Sequence, residues 1–126
     1  MSSIELADLL NRVRQPFNNN MLALAAAEAA LIDKDYLTKT IATNNQGMEF
    51  LTNAFSELGL SWIPSSGNFV SVDLKQASIP IYQALLEKGV IVRPVANYEM
   101  PNHLRISIGT EQENQFFIAA LKDILT

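Results

Sequence analysis

Apolar residues recur with helical spacing over the first half of the chain and with alternating helical and strand spacing over the second. Ile4, Leu6, Leu9, Leu10 and Val13 form one stripe of a short helix. Ser2 and Glu5 are spaced as a capping box at its start, and Pro16 is its stop. Asn18, Asn19 and Asn20 offer caps for a second helix from about Met21. That segment holds Ala23, Ala25, Ala26, Ala27, Ala29 and Ala30 and is apolar nearly all round to Ile32. Such a helix wants burial on more than one side, so a missing partner surface is expected. Asp33 can cap a longer helix to Leu58, in which Leu37, Ile41, Met48, Leu51, Phe55 and Leu58 keep helical spacing. Gly59 then stands where a C′ glycine belongs. Gly47 falls inside this pattern and signals an interruption.

Beyond this point the elements shorten. Residues 60–63 are a short segment, and Pro64-Ser65-Ser66-Gly67 reads as a turn. Phe69–Asp73 is a strand, and residues 79–88 form a helix with Ile81, Leu85 and Leu86 on its apolar side and Gly89 as its stop. Residues 90–93 (Val-Ile-Val-Arg) read as a buried strand and residues 94–102 as an irregular loop. Residues 103–108 are a second alternating strand, and Thr110-Glu111-Gln112-Glu113 caps a final helix over Glu111–Leu125. The strand-helix-strand run from Phe69 to Arg93 is long enough for a parallel crossover. The expected fold is α/β or α+β: a small three- to four-stranded sheet packed with helices.

Length and composition narrow the field. With 126 residues, 48% of them hydrophobic and 17% charged, the chain fits one domain, 1–126, with a real core. A net charge of −4 argues against a general nucleic-acid or anionic-membrane partner, both of which need basic patches. There is no cysteine, which excludes disulfides and thiolate chemistry, and a single histidine, His103, cannot build a histidine-rich metal site. The start of the chain lacks a signal-peptide pattern, and the apolar run Met21–Ile32 is too short to span a bilayer. A cytoplasmic protein fits these features.

Chemistry-bearing residues are few. In the strand at 103–108, Leu104, Ile106 and Ile108 share one face, while Arg105 and Ser107 share the other. The apolar face must lie on a core, so Arg105 is aimed outward from a rigid element. A permanently charged fork of donors is a good receptor for carboxylate or phosphate; the same spacing also describes an arginine on a solvated face. Ser65 and Ser66 sit in ordinary turn chemistry, and no nucleophile-base pair is visible. Asp73 stands apart from the other carboxylates at a strand end. What remains is an anion-binding constellation of Arg93 and Arg105 at strand positions, with Asn68 beside the Gly67 turn.

Several short segments, in order, carry a resemblance. They are residues 9–18 (Leu-Leu-Asn-Arg-Val-Arg-Gln-Pro-Phe-Asn), Ala26-Ala27, residues 66–70 (Ser-Gly-Asn-Phe-Val), residues 89–93 (Gly-Val-Ile-Val-Arg), residues 104–110 (Leu-Arg-Ile-Ser-Ile-Gly-Thr) and Glu113-Asn114. Together they resemble the C-terminal part of the histidinol-phosphate aminotransferases, pyridoxal-phosphate enzymes of fold type I. Asn19 departs from the pattern, standing where the family has valine. The resemblance implies a small domain whose large partner domain supplies the Schiff-base lysine and most of the pocket for pyridoxal 5'-phosphate. None of Lys34, Lys39, Lys75, Lys88 or Lys122 stands in a matching motif, so an excised small domain, inactive alone, is expected. The resemblance gives Arg105 the substrate α-carboxylate, Arg93 the phosphate end and Asn68 a place along the substrate cleft. It implies L-histidinol phosphate and 2-oxoglutarate (with glutamate) as substrates, and a homodimer. An aromatic-amino-acid aminotransferase, a threonine-phosphate decarboxylase and a free-standing anion-binding or interaction domain are the alternatives.

Overall fold

The computed structural model describes residues 3–14 and 19–125 and divides into two compact units, Met1–Leu37 and Thr38–Thr126. In the first unit α1 (Ile4–Val13) begins at Ser3, whose side chain accepts a hydrogen bond from the Leu6 amide at 3.2 Å. The cap is thus Ser3 and not Ser2; Ser2 and Pro16 both lie outside the described residues. Helix α2 (Met21–Ile32) opens on Asn20, which accepts from the Ala23 amide at 2.8 Å, one of the caps the asparagine run offers. Neither helix contains a buried residue. Met21, Leu22 and Leu31 are more than four-fifths exposed, so the all-round apolar pattern of α2 has no cover among the described residues.

Helix α3 (Lys34–Glu57) is unbroken across Gly47. Its N-cap is Asp33, accepting from the Tyr36 amide at 2.8 Å. Its end follows the expected glycine stop: Gly59 has φ +68°, its amide donates to Ser56 O and the Leu60 amide donates to Phe55 O at 2.9 Å. Gly47 is buried for a packing reason. A Cβ there would stand 2.5 Å from Ile108 Cγ2 and 2.8 Å from Asn114 Nδ2, so glycine lets α3 come close to the connection following the last strand.

Four strands form one sheet in the order β1-β2-β4-β3, with every neighbouring pair antiparallel. They are β1 (Ser61–Ile63), β2 (Phe69–Asp73), β3 (Arg93–Pro94) and β4 (His103–Ser107). Helix α4 (Ser78–Glu87) connects β2 to β3, and α5 (Glu111–Leu125) follows β4. Because β2 and β3 both run antiparallel to β4, they run parallel to each other, as the crossover expectation requires, but β4 lies between them. The expected strand at 90–93 is corrected: only Arg93 and Pro94 join the ladder, and residues 90–92 approach it without strand pairing. Pro94, lacking an N–H, sits on the sheet edge where a missing donor costs least. A short 3₁₀ turn, Ala96–Tyr98, interrupts the expected loop.

The core lies on one side of this sheet. Val70, Val72, Leu104 and Ile106 face it, covered by Leu51, Ala54 and Phe55 of α3, Ile81 and Leu85 of α4, and Phe117, Ile118 and Leu121 of α5. Trp62 of β1 packs at its margin, its ring 6.3 Å from that of Phe55. Leu86 was expected on the apolar side of α4 but is 39% exposed. The start of α4 is tied to the approach to β4: the buried hydroxyl of Ser78 donates to Pro101 O at 2.8 Å, and the Leu74 amide donates to Asn102 O at 3.0 Å.

Gly47→Ala gains helix propensity of about 1 kcal/mol. It also forces a methyl group into Ile108 and into an Asn114 amide that is itself bonded to Gly109 O. Overpacking of this kind costs about 1–3 kcal/mol. The expected outcome is net destabilisation, read as a lower urea midpoint; a raised midpoint would show that the contact yields freely.

Candidate functional site

Strand alternation dictates what faces away from the core. With Leu104 and Ile106 turned inward, His103, Arg105 and Ser107 of β4 turn outward. In β2, Val70 and Val72 are buried, so Phe69, Ser71 and Asp73 lie on the outer face. The register then brings residues distant in sequence into rows. Ile63 pairs with Ser71, Ser71 with Arg105, and Arg105 with Arg93. A second row joins Ser61, Asp73 and His103.

Arg93 and Arg105 are therefore direct cross-strand partners. Opposed residues in an antiparallel pair have Cβ atoms about 4.5–5.5 Å apart, and like charges at that spacing are mutually destabilising. Neither guanidinium makes an ion pair with a carboxylate among the described residues. Two cations held side by side on a rigid sheet, with no carboxylate between them among the described residues, have the chemistry to accept an anion. Arg105 is half-buried, its Nε atom is buried without a hydrogen-bond partner, and its Cζ lies 4.9 Å from the centre of the Phe69 ring. The Nδ1 atom of His103 is likewise buried and unpartnered.

The other sequence candidates take lesser places. The carbonyl of Asn68 accepts the Ile108 amide at 2.8 Å, extending the β2–β4 ladder through its main chain. Asn68 stands next to Phe69 but the structure gives its side chain no bond to either arginine. Asp73 closes a turn, accepting the Lys75 amide at 2.8 Å. Ser65 does the same for the Gly67 amide at 3.1 Å, and Asn44 donates to Gly67 O at 3.2 Å. Two cavities, of about 300 and 280 Å³, flank the Gly109–Asn114 connection, and neither is lined by Arg93, Arg105 or Asn68. The arginine pair lies on the outer face of the sheet, apart from these two cavities. Sequence reasoning missed Phe69 as part of the site. The signal was present in the phase of the strand, since Val70 and Val72 inward require Phe69 outward.

The connection behind the site is fixed by its cap. The Thr110 amide donates to Glu113 Oε2 at 2.7 Å, and the Glu113 amide donates to Thr110 Oγ1, as the capping-box spacing predicts. Buried Asn114 closes the same connection by bonding both the amide and the carbonyl of Gly109. Among the described residues no group of His, Cys, Asp or Glu could hold a metal ion, and no helix is long and apolar enough to cross a membrane.

Residues 1–121 match the family described as aminotransferase class I and II, and the chain belongs to that family. It is 58% identical over 125 residues to histidinol-phosphate aminotransferase 2 of Pasteurella multocida, covering 99% of this chain and 34% of that protein. The chain thus spans about a third of the length of the curated relatives it matches. Among solved structures it is similar to a putative aminotransferase of Burkholderia pseudomallei (TM-score 0.79, 30% identity, 97% of this chain and 38% of that one). It is also similar to histidinol-phosphate aminotransferase of Sinorhizobium meliloti, solved with pyridoxal-5'-phosphate (TM-score 0.78, 28% identity, 96% and 34%).

The described residues do not by themselves fit that cofactor. Condensation with its aldehyde needs a lysine amine at the site. Lys75 instead donates to Gly59 O, Lys88 pairs with Asp123 and Lys122 with Glu57, while Lys34 and Lys39 lie on α3. None stands on the outer face of the sheet with the arginines.

Hydrogen bonds from the Thr110 amide, and then from its hydroxyl, hold the Glu113 carboxyl below its ordinary value of 4.5. A carboxyl more acidic in the folded state contributes stability above its unfolded value, and that contribution disappears as pH falls through the folded value. Glu113→Ala is expected to lower the urea midpoint at neutral pH, with the difference from the parent chain shrinking progressively below pH 4.5. A difference independent of pH would remove the ionised cap as its cause.

Proposed function

We propose that this chain is the substrate-binding small domain of a pyridoxal-phosphate-dependent aminotransferase acting on L-histidinol phosphate and 2-oxoglutarate, with the lysine-bearing large domain lying outside it. The observation that carries this reading is the cross-strand pair Arg93–Arg105, unneutralised on the outer face of the sheet. 2-Oxoglutarate carries two carboxylates and L-histidinol phosphate carries one phosphate, doubly charged near neutral pH, so each brings an anionic group that an arginine can hold. The cofactor, when bound in the complete enzyme, supplies the electron sink. The residues of this chain do the positioning. Arg105, central in β4 and half-buried, grips the carboxylate of the amino acceptor, and Arg93 at the sheet edge takes the phosphate of histidinol phosphate. Binding both ends fixes the orientation of the reacting carbon, which is where much of the rate gain from a binding domain arises. The names of the sequence relatives support the choice of histidinol phosphate over the aromatic and decarboxylase alternatives.

Two measurements check this. The isolated chain, titrated with pyridoxal phosphate, is expected to show no stoichiometric, saturable Schiff-base absorbance; such a band accompanied by transamination of histidinol phosphate would overturn the division of labour. In the enzyme carrying this segment, Arg105→Lys keeps the charge and loses the two-pronged fork. Loss of a charged hydrogen bond of about 1.5–3 kcal/mol corresponds to one to two decades in kcat/KM. For Arg93→Ala the loss is expected to be larger for histidinol phosphate than for 2-oxoglutarate. Equal losses for the two substrates would remove the phosphate assignment.

A further inference from the structure

The outer face of the sheet holds an aromatic residue that the core does not explain. Phe69 is the first residue of β2, faces away from the core and is 38% exposed. Its ring contributes nothing to the cluster formed by Val70 and Val72. It lies instead against the guanidinium of Arg105, its diagonal neighbour across the β2–β4 ladder, at 4.9 Å from Cζ to ring centre. Arg105 needs such a restraint. Arg93 stands directly opposite and repels it, no carboxylate among the described residues holds it, and its Nε atom is buried with no hydrogen-bond partner. A long, unpaired side chain in that position would relieve the repulsion by swinging toward water. The quadrupole of an aromatic ring attracts a cation placed over its face, more strongly where water is excluded, as it is at Nε. The chain entering β2 is held just ahead of Phe69: the Gly67 amide donates to Ser65 Oγ and the Gly67 carbonyl accepts from Asn44 Nδ2.

We propose that Phe69 is a positioning residue for the anion receptor: its ring holds the Arg105 guanidinium in place against Arg93, so that the terminal nitrogens are presented to a carboxylate before the ligand arrives. This rests on the reading of Arg105 as a carboxylate receptor and adds to it the device that preorganises the arginine.

The test uses the whole 126-residue chain, in which only four arginines give Nε–Hε signals. Side-chain ¹⁵N relaxation reads the order of Arg105, and titration with 2-oxoglutarate reads affinity, for the parent chain, Phe69→Leu, Phe69→Met, Phe69→Tyr and Arg105→Lys. The expected result is that Leu and Met free the Arg105 side chain and weaken 2-oxoglutarate about five-fold, within the range of a partly desolvated cation–π contact. Tyr restores both, and backbone amide spectra stay unchanged throughout. If Arg105→Lys loses binding while the Leu and Met variants bind like the parent with Arg105 still ordered, the positioning role is wrong and the receptor reading stands. Failure of the parent chain to bind 2-oxoglutarate, or undiminished binding by Arg105→Lys, overturns the receptor reading and the proposal with it. Unfolding of both the Leu and Met variants would show Phe69 to be a structural residue and would also overturn the proposal.

Discussion

Packing of Leu104 and Ile106 against α3, α4 and α5 determines where every alternate residue of β4 must go. Both are essentially inaccessible, and the period of a strand leaves no freedom in the phase of what lies between them. Arg105 is outward because its neighbours are inward. The same constraint acts through Val70 and Val72 on Phe69 and Ser71, and the ladder then joins these residues to Arg93. A one-residue slip in register would bury a guanidinium in the core and expose two apolar side chains. The arginine pair is therefore held by the hydrophobic burial of the residues between its members, a far larger free energy than its own repulsion.

Much of the fold was legible because its signals are local. Asp33, Gly59, Gly89 and the Thr110–Glu113 pair mark helix ends through hydrogen bonds that span a few residues, and each marks the boundary expected of it. The α5 boundaries and β2 follow from periodicity alone. Reading failed where tertiary contacts decide. Gly47 carries an interruption signal in sequence, yet the helix runs through it, because the residue is set by what packs against α3 and not by α3 itself. Residues 90–92 have the composition of a strand, but their approach to the sheet edge gives them no partner until Arg93. Leu86 has the right spacing for the buried side of α4 and falls just outside the contact.

The site was half legible. Alternation was enough to place Arg105 outward, and a charged fork on a rigid strand is a readable hint of anion binding. That Arg93 stands directly opposite was not readable, since strand pairing is non-local and β4 inserts between two strands that precede it in the chain. Asn68 was singled out for its side chain and contributes through its carbonyl. Phe69 was counted as an ordinary strand residue, because aromatic residues are common in strands and the sequence carries no mark of the cation that lies over its ring.

The position of β4 also bears on how the chain assembles as it is synthesised. It is the last of the four strands in chain order and an interior strand of the sheet. Until residues 103–107 have emerged, β2 has only the short β1 beside it, β3 has no partner, and the free edge of β2 is open to pairing with other chains. Insertion of β4 closes that edge and, in the same step, brings two positive charges face to face. Any anion that bridges them binds the completed sheet and not its precursors, so by mass action it draws the last strand into place. An anion held across the arginine pair would then act as a counter-ion for the closing of the sheet.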